Sequence, residues 1–337
     1  MVINKKKFSF AALLLSLSLV FVTAGCGSNN SNTQSSDKTN TGGSNAKSEG
    51  KLNIEVSFYP MYEFTKNVAG DLADVHTLVP GSVEPHDWEP TPQDIASIEK
   101  ADVIVYNGAG MEGWIDQVLA GSGNDKLVKV EASKGIEVMD SAEEEEHDHE
   151  HAADEEEHDH DHGGLDPHVW LSPVQAIKEV RNIEAGLVQA APAHKDEFKK
   201  NADAYVAKLE QLDQDFKDTF NNAKRKDFIT QHAAFGYLAR DYGLEQVAIA
   251  GLSPEQEPSA SKMAEIVKFA KEHNTKTIFF ETLVSSKVAE TVANEIGAKS
   301  AVLNPIEGLT EEDKAKNLDY IALMRQNLEA LKQALNE

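Results

Sequence analysis

Seven of the chain's twelve histidines fall between Glu143 and Trp170, in EEEEHDHEHAADEEEHDHDHGGLDPHVW. Imidazole beside carboxylate is metal-ligand chemistry. Six of the seven, His147, His149, His151, His158, His160 and His162, lie where the flanking residues show no hydrophobic period, which reads as a mobile loop. A mobile ligand set binds weakly, because ordering it costs roughly 1–2 kcal/mol of backbone entropy per residue. A plain solvated charge run would need no interleaved imidazoles. The run is therefore read as an accessory metal loop.

Three other histidines sit in rigid surroundings. His86 lies in EPHDWEPTPQD, braced by Pro85, Pro90 and Pro92, with Trp88 available to pin it. His168 lies in DPHVWLSP, between two prolines and beside Trp170. His232 lies in FITQHAAFGYLA, at the junction of a strand and a helix. Any one alone would read as a structural or surface histidine. All three occupy the same kind of place, and that coincidence favours metal. Glu281 ends the apolar strand TIFFE and shares the position, either as a ligand or as a cap for the next helix. His76 lies within a strand, and His194 and His273 lie near helix ends, which fits structural roles.

The elements that must position these groups alternate. Strands are expected at 52–58, 73–79, 102–108 and 126–132, with helices at 59–70 and 92–101. Thr91 caps the second helix and Pro92 opens its first turn. From Ser172 a helix begins, and after Pro192 the residues Phe198, Ala202, Tyr205, Leu209, Leu212, Phe216 and Phe220 recur every three or four positions, as on one long amphipathic helix. Strands resume at 226–230, 246–250, 276–281 and 298–304, with helices near 233–242, 259–273, 286–297 and 312–335. Such alternation predicts an α/β fold: two similar parallel-sheet lobes joined by a long bridging helix. Ligands in such folds bind beyond the carboxyl ends of the strands, so a metal cleft is expected between the lobes.

The first 25 residues read as a secretory signal, with Lys5, Lys6 and Lys7 before an apolar run at 8–22. Fifteen apolar residues are few for a membrane span, which needs roughly 20. Cys26 is the only cysteine, so no disulfide or thiolate zinc site can form within one copy. It follows Thr23-Ala24-Gly25 as in a bacterial lipobox, although Thr23 replaces the usual leucine; lipidation there would tether the protein to a membrane. Residues 27–50 carry almost nothing apolar and read as a flexible tether spanning roughly 25–30 Å. The net charge is −25, but twelve of those charges lie in 143–162, which leaves −13 for the rest. Nothing favours nucleic acid, whose binding rests on basic patches.

EPHDWEPTPQD, DPHVWLSP, QHAAFGYLA and FFETLVS, in that order, resemble the signature segments of the metal-binding lipoproteins of ABC transporters, of the high-affinity zinc-uptake type. The resemblance spans 51–337, and the acidic histidine loop resembles that of zinc-type members. It implies metal ligands at His86, His168, His232 and Glu281. It also implies a domain plan: signal 1–25, lipidated cysteine and tether 26–50, first lobe 51–171 with the loop 143–162, bridging helices 172–224, and second lobe 225–337. Three imidazoles and one carboxylate suit Zn²⁺, whereas manganese prefers more oxygen. Asp87, Glu84, Glu89 and Asp166 could orient the ligands. The implied function is capture of Zn²⁺ outside the cytoplasm, on the outer face of the membrane, and delivery to an ABC permease by a monomer. A manganese-binding lipoprotein or adhesin is the alternative.

Enzyme readings are weaker. There is no HExxH motif, because position 153 after His149-Glu150 is Ala. Gly108, Gly110 and Gly113 in NGAGMEGW fit a dinucleotide-binding spacing, but they follow the third strand rather than the first, and Glu112 would repel a pyrophosphate. They are read as a tight turn before a helix containing Trp114. Binding is expected to weaken below about pH 6, near the reference imidazole pKa.

Overall fold

The computed structural model describes residues 50–140 and 164–337. Cys26 and the six histidines from His147 to His162 lie outside the described residues.

The first sheet holds β1 (Leu52–Val56), β2 (Ala73–Thr77), β3 (Val103–Tyr106) and β4 (Val128–Glu131), in the order β2-β1-β3-β4. The second holds β7 (Asp227–Thr230), β8 (Glu245–Ala248), β9 (Thr277–Phe280) and β10 (Lys299–Val302), in the order β8-β7-β9-β10. Every pairing in both is parallel. Second-first-third-fourth is thus the order in each lobe, so the two lobes repeat one plan. The inner strands are the apolar ones, Val103–Val105 and Ile278–Phe279 being fully or almost fully buried, as parallel sheets covered on both faces require. A short antiparallel pair, β5 (Met139–Asp140) and β6 (Leu165–Asp166), brackets residues 141–163. Two-residue strands carry too little pattern to be read from sequence.

In the first lobe α1 (Tyr59–Ala69), α2 (Pro92–Ile98) and α3 (Ile115–Gly121) surround the sheet. Thr91 caps α2 in a full capping box with Asp94. Next come α4 (Pro173–Ala190) and α5 (Lys195–Asn221), parted by the turn at Pro192. α4 packs on β4 and α1 and so belongs with the first sheet. Gly186 makes this possible, since a Cβ there would stand 2.3 Å from Val130. The helix that touches both lobes is α5, whose 27 residues span about 40 Å. Asn201 Nδ2 near its start donates to the Val68 carbonyl of the first lobe at 3.1 Å. Asp215 near its end pairs with Arg325 of the second lobe at 2.5 Å.

The second lobe adds α6 (Gly236–Tyr242), α7 (Ala260–Glu272), α8 (Lys287–Ile296), α9 (Glu311–Ala315) and α10 (Tyr320–Ala334). One helix is expected over 312–335, but two form. Asn317 takes a left-handed φ of 52°, and Asp319 starts afresh by accepting from the Ala322 amide. Asn and Asp favour such breaks because their side chains satisfy local backbone groups. One hydrophobic core runs through both lobes, from Phe58, Phe64 and Trp170 to Phe279, Leu303, Ile306 and Tyr320. Tyr320 meets Phe64 edge-on at 5.0 Å and donates its hydroxyl to the Trp170 carbonyl. The Trp170 indole donates to the Pro305 carbonyl at 2.8 Å.

Candidate metal centre

Loops after β2, β6, β7 and β10 bring His86, His168, His232 and Glu307 together, with one donor atom from each within 4.8 Å of the others. His86 follows β2 in a loop turned by hydrogen bonds from Val83 to Pro80 and from Trp88 to Pro85. Trp88 pins this loop by packing edge-on against Trp114 at 5.5 Å. His168 follows β6, and the Pro167 carbonyl before it accepts from Asn107 Nδ2 at 2.9 Å. His232 lies two residues past β7, its carbonyl held by Thr230 Oγ1 at 2.7 Å and Gln246 Nε2 at 3.0 Å.

The fourth group is not the one expected. Glu281 comes directly after β9, which pairs with β7. Its side chain therefore reaches the flank of His232 and does not join the cluster. It accepts from His232 Nδ1 at 2.7 Å. Glu307 stands five residues past β10, far enough along to turn back into the cleft. Ile306 before it holds a φ of 58°, a costly conformation for a β-branched residue. Its amide donates to Asn304 Oδ1 at 2.8 Å, which helps hold that turn. Gly308 after it lets the chain pass, since a Cβ there would stand 2.2 Å from the Gly81 carbonyl oxygen of the His86 loop. A signal for Glu307 existed: LNPIEGLT places a carboxylate between Pro305 and Gly308, after a strand, as for His86.

The donor atoms form a compact figure. His86 Nε2 lies 3.1 Å from His168 Nε2, which lies 3.4 Å from His232 Nε2. Glu307 Oε1 lies 3.3, 3.4 and 3.6 Å from the Nε2 atoms of His86, His168 and His232. Donors placed about 2.0–2.1 Å from a tetrahedral ion stand about 3.3 Å apart. Two rings are fixed from behind. Asp166 Oδ1 accepts from His168 Nδ1 at 2.8 Å and from its amide at 3.0 Å, as Glu281 does for the His232 ring. A carboxylate can only accept, so both Nδ1 atoms carry protons and both Nε2 atoms turn their lone pairs or exchangeable protons inward. Glu84 accepts from the His86 amide at 3.0 Å. Asp87 and Glu89 are exposed, away from the rings.

Electrostatics follow from this enclosure. Burial pulls the His232 pKa down, but the Glu281 and Glu307 carboxylates more than offset it and lift it to about 10. Burial likewise opposes protonation of His168, yet Asp166 and Glu307 raise its pKa. Burial lowers that of His86, which has only Glu307 to counter it. The Glu307 carboxyl, despite its burial, is held well below the usual range by hydrogen bonds from the three imidazoles. Burial, with Glu307 nearby, pushes Glu84 up to about 7. Glu307 Oε2 and Glu281 Oε2 are buried without a hydrogen-bond partner among the described residues. The donor set thus fits a tetrahedral dication.

His76, His194 and His273 take no part in this cluster. His273 stacks on Phe269 at 3.8 Å, and His194 packs on Phe198. The glycine turn at 108–113 is a turn, with φ of 80° at Gly108 and 87° at Gly110. The Glu112 carboxylate accepts from the Asn107 and Gly108 amides at 2.8 and 2.9 Å. Those two amides are therefore already taken and are not free to hold a phosphate.

Known proteins share this sequence and fold. The family of zinc-uptake complex component A, periplasmic (ZnuA), matches residues 54–334. The chain is 54% identical over 297 residues to the high-affinity zinc uptake system protein ZnuA of Bacillus subtilis, covering 88% of this chain and 92% of that protein. It is 47% identical over 295 residues to the zinc-binding lipoprotein AdcA of Streptococcus pneumoniae, covering 87% of this chain and 58% of AdcA. The crystal structure of the Zn(II)-bound ZnuA-like domain of Streptococcus pneumoniae AdcA superposes with a TM-score of 0.72 at 43% identity, covering 86% of this chain and 100% of that one.

Proposed function

The chain belongs to the ZnuA family of zinc-uptake components, and we propose that it captures one Zn²⁺ outside the cytoplasm, through His86, His168, His232 and Glu307, and delivers it to an ABC permease for import. The observation that carries this reading is the figure of three inward Nε2 atoms and one carboxylate oxygen, with edges near those of a tetrahedral zinc site. Three nitrogens and one oxygen favour zinc over manganese. The family is one of solute-binding transport components rather than enzymes. A fourth protein ligand supports this, because a catalytic zinc keeps a position open for substrate.

The same reading assigns lipidation to Cys26 and a tether to 27–50, holding a monomer on the outer face of the membrane beside its permease. It divides the body into lobes 51–171 and 225–337 about the helices of 172–224. His147, His149, His151, His158, His160 and His162 gather zinc weakly and feed the cleft. The shared core argues against wide hinge opening, so release rests on small loop shifts. The exposure of the ligands points to the side from which the ion enters, since the His86 side chain is 10% exposed and that of Glu307 is wholly buried.

The test is a zinc titration against a competing chelator on protein lacking residues 143–162. One tight site should remain. Loss of tight binding would move the site into the histidine run and overturn the cleft assignment. A parallel titration with manganese should show far weaker binding.

A further inference from the structure

We propose that Tyr237 is a positioning residue for the metal centre, acting from the second lobe on a ligand of the first. Tyr237 lies fully buried in the first turn of α6. Its hydroxyl donates to the Asp166 carbonyl at 2.7 Å and accepts from the Met139 amide at 3.0 Å. Met139 and Asp166 are paired across β5 and β6, so one hydroxyl ties both strands. The Asp166 side chain in turn holds the His168 ring at Nδ1 and the His168 amide. Gly236 closes on the other carboxylate oxygen, for a Cβ there would stand 2.7 Å from Asp166 Oδ2. Asp166 is therefore enclosed by two consecutive residues of the opposite lobe.

The direction of the His168 Nε2 lone pair is set by Asp166, and Asp166 is set by Tyr237 and Gly236. The geometry of a first-lobe ligand thus depends on how the second lobe docks. The ring of Tyr237 packs with Ile136, Val169 and Met139. Phenylalanine preserves that packing, so the hydroxyl can be removed without removing the core contact. Outer partners of ligating histidines typically contribute 10–100-fold to metal affinity by fixing ring orientation.

This inference rests on the reading that His168 binds the ion, and the experiment separates the two. Zinc affinity is measured by chelator competition on the full chain and on Tyr237→Phe, Gly236→Ala and His168→Ala, with ¹⁵N NMR of the imidazoles to follow the His168 ring. Tyr237→Phe should keep the far-ultraviolet circular dichroism of the parent, lose about tenfold in zinc affinity and shift the His168 Nδ1 resonance of the zinc-free protein. Gly236→Ala, which keeps the hydroxyl but crowds Asp166, should move both readouts in the same direction. Unchanged affinity and an unchanged His168 signal in Tyr237→Phe, alongside lost binding in His168→Ala, would overturn the role of Tyr237 and leave the ligand assignment standing. Parent-like affinity in His168→Ala would overturn the ligand assignment itself, and this inference with it.

Discussion

Glu281 Oε1 lies 2.7 Å from Nδ1 of His232, on the edge of the ring opposite the Nε2 that meets His168 and Glu307. The two carboxylates beside His232 therefore do different work. In the proposed site Glu307 would supply a donor atom, and Glu281 would orient the ring that supplies another. Glu281→Ala should weaken zinc binding by about 10–100-fold, as loss of a ligand's outer partner does. Glu307→Ala removes a direct bond and should weaken binding more. Chelator competition on the two variants checks the order, and a larger loss in Glu281→Ala would reverse the assignment.

Binding should release protons at neutral pH. His232, raised to about 10, should hold a proton in the zinc-free protein that zinc must displace, and the raised His168 pKa acts in the same direction. Protonation favours the free form, so affinity falls as pH falls. The decline should therefore begin above the reference imidazole value. Affinity should drop about tenfold per pH unit for each proton displaced. Titration calorimetry at pH 7.5 in buffers of different ionisation enthalpy counts these protons. A count of zero would contradict the raised values.

Glu179 on α4 is fully buried, and neither of its carboxylate oxygens has a hydrogen-bond partner among the described residues. Burial, and then Glu112, raises its pKa well above 4.5. The folded chain holds this proton to higher pH than the unfolded chain, whose carboxyl ionises near 4.5, so its contribution to stability is lost as pH rises. Glu179→Gln should therefore raise the melting temperature by a few degrees at pH 7–8 and give no gain near pH 4. Thermal melts at the two pH values decide it. A gain that persists at pH 4 would show that packing, not the proton, is responsible.

Tyr320 at the start of α10 donates to the Trp170 carbonyl, next to a ring that itself holds Pro305. Tyr320→Phe leaves that carbonyl buried and unpaired. A loss of about 1–3 kcal/mol is expected. Urea denaturation followed by tryptophan fluorescence measures it, and because one core serves both lobes the transition should stay single.

Much of this architecture is legible before folding because its signals are local. The alternation of apolar strands with capped helices gives both sheets, and Pro85, Pro90 and Trp88 mark His86 as rigidly held. What escapes is long-range. Glu281 and Glu307 both follow a strand, and only the strand order tells which one reaches the cleft. β9 lies beside β7 and delivers Glu281 to the flank of His232, while the longer loop after β10 carries Glu307 inward. Tyr237 escapes for the same reason, since its partners Met139 and Asp166 are 98 and 71 residues away. The break at Asn317 is of another kind: a single left-handed residue interrupts a pattern that is otherwise helical.

Gly81 and Gly308 touch backbone to backbone where the His86 loop meets the Glu307 loop. Neither has a side chain that could swing aside. This edge of the centre therefore cannot open by a rotamer flip, which takes picoseconds to nanoseconds; it opens only when a loop moves as a whole, which is slower by orders of magnitude. The loop that would move carries Pro80, Pro85 and Pro90, so its own excursions are stiffened. Residence time of an ion held in the proposed site should then follow main-chain motion as well as the strength of its bonds. A carrier built this way can hold its cargo through many collisions and yield it when something else pries the loop.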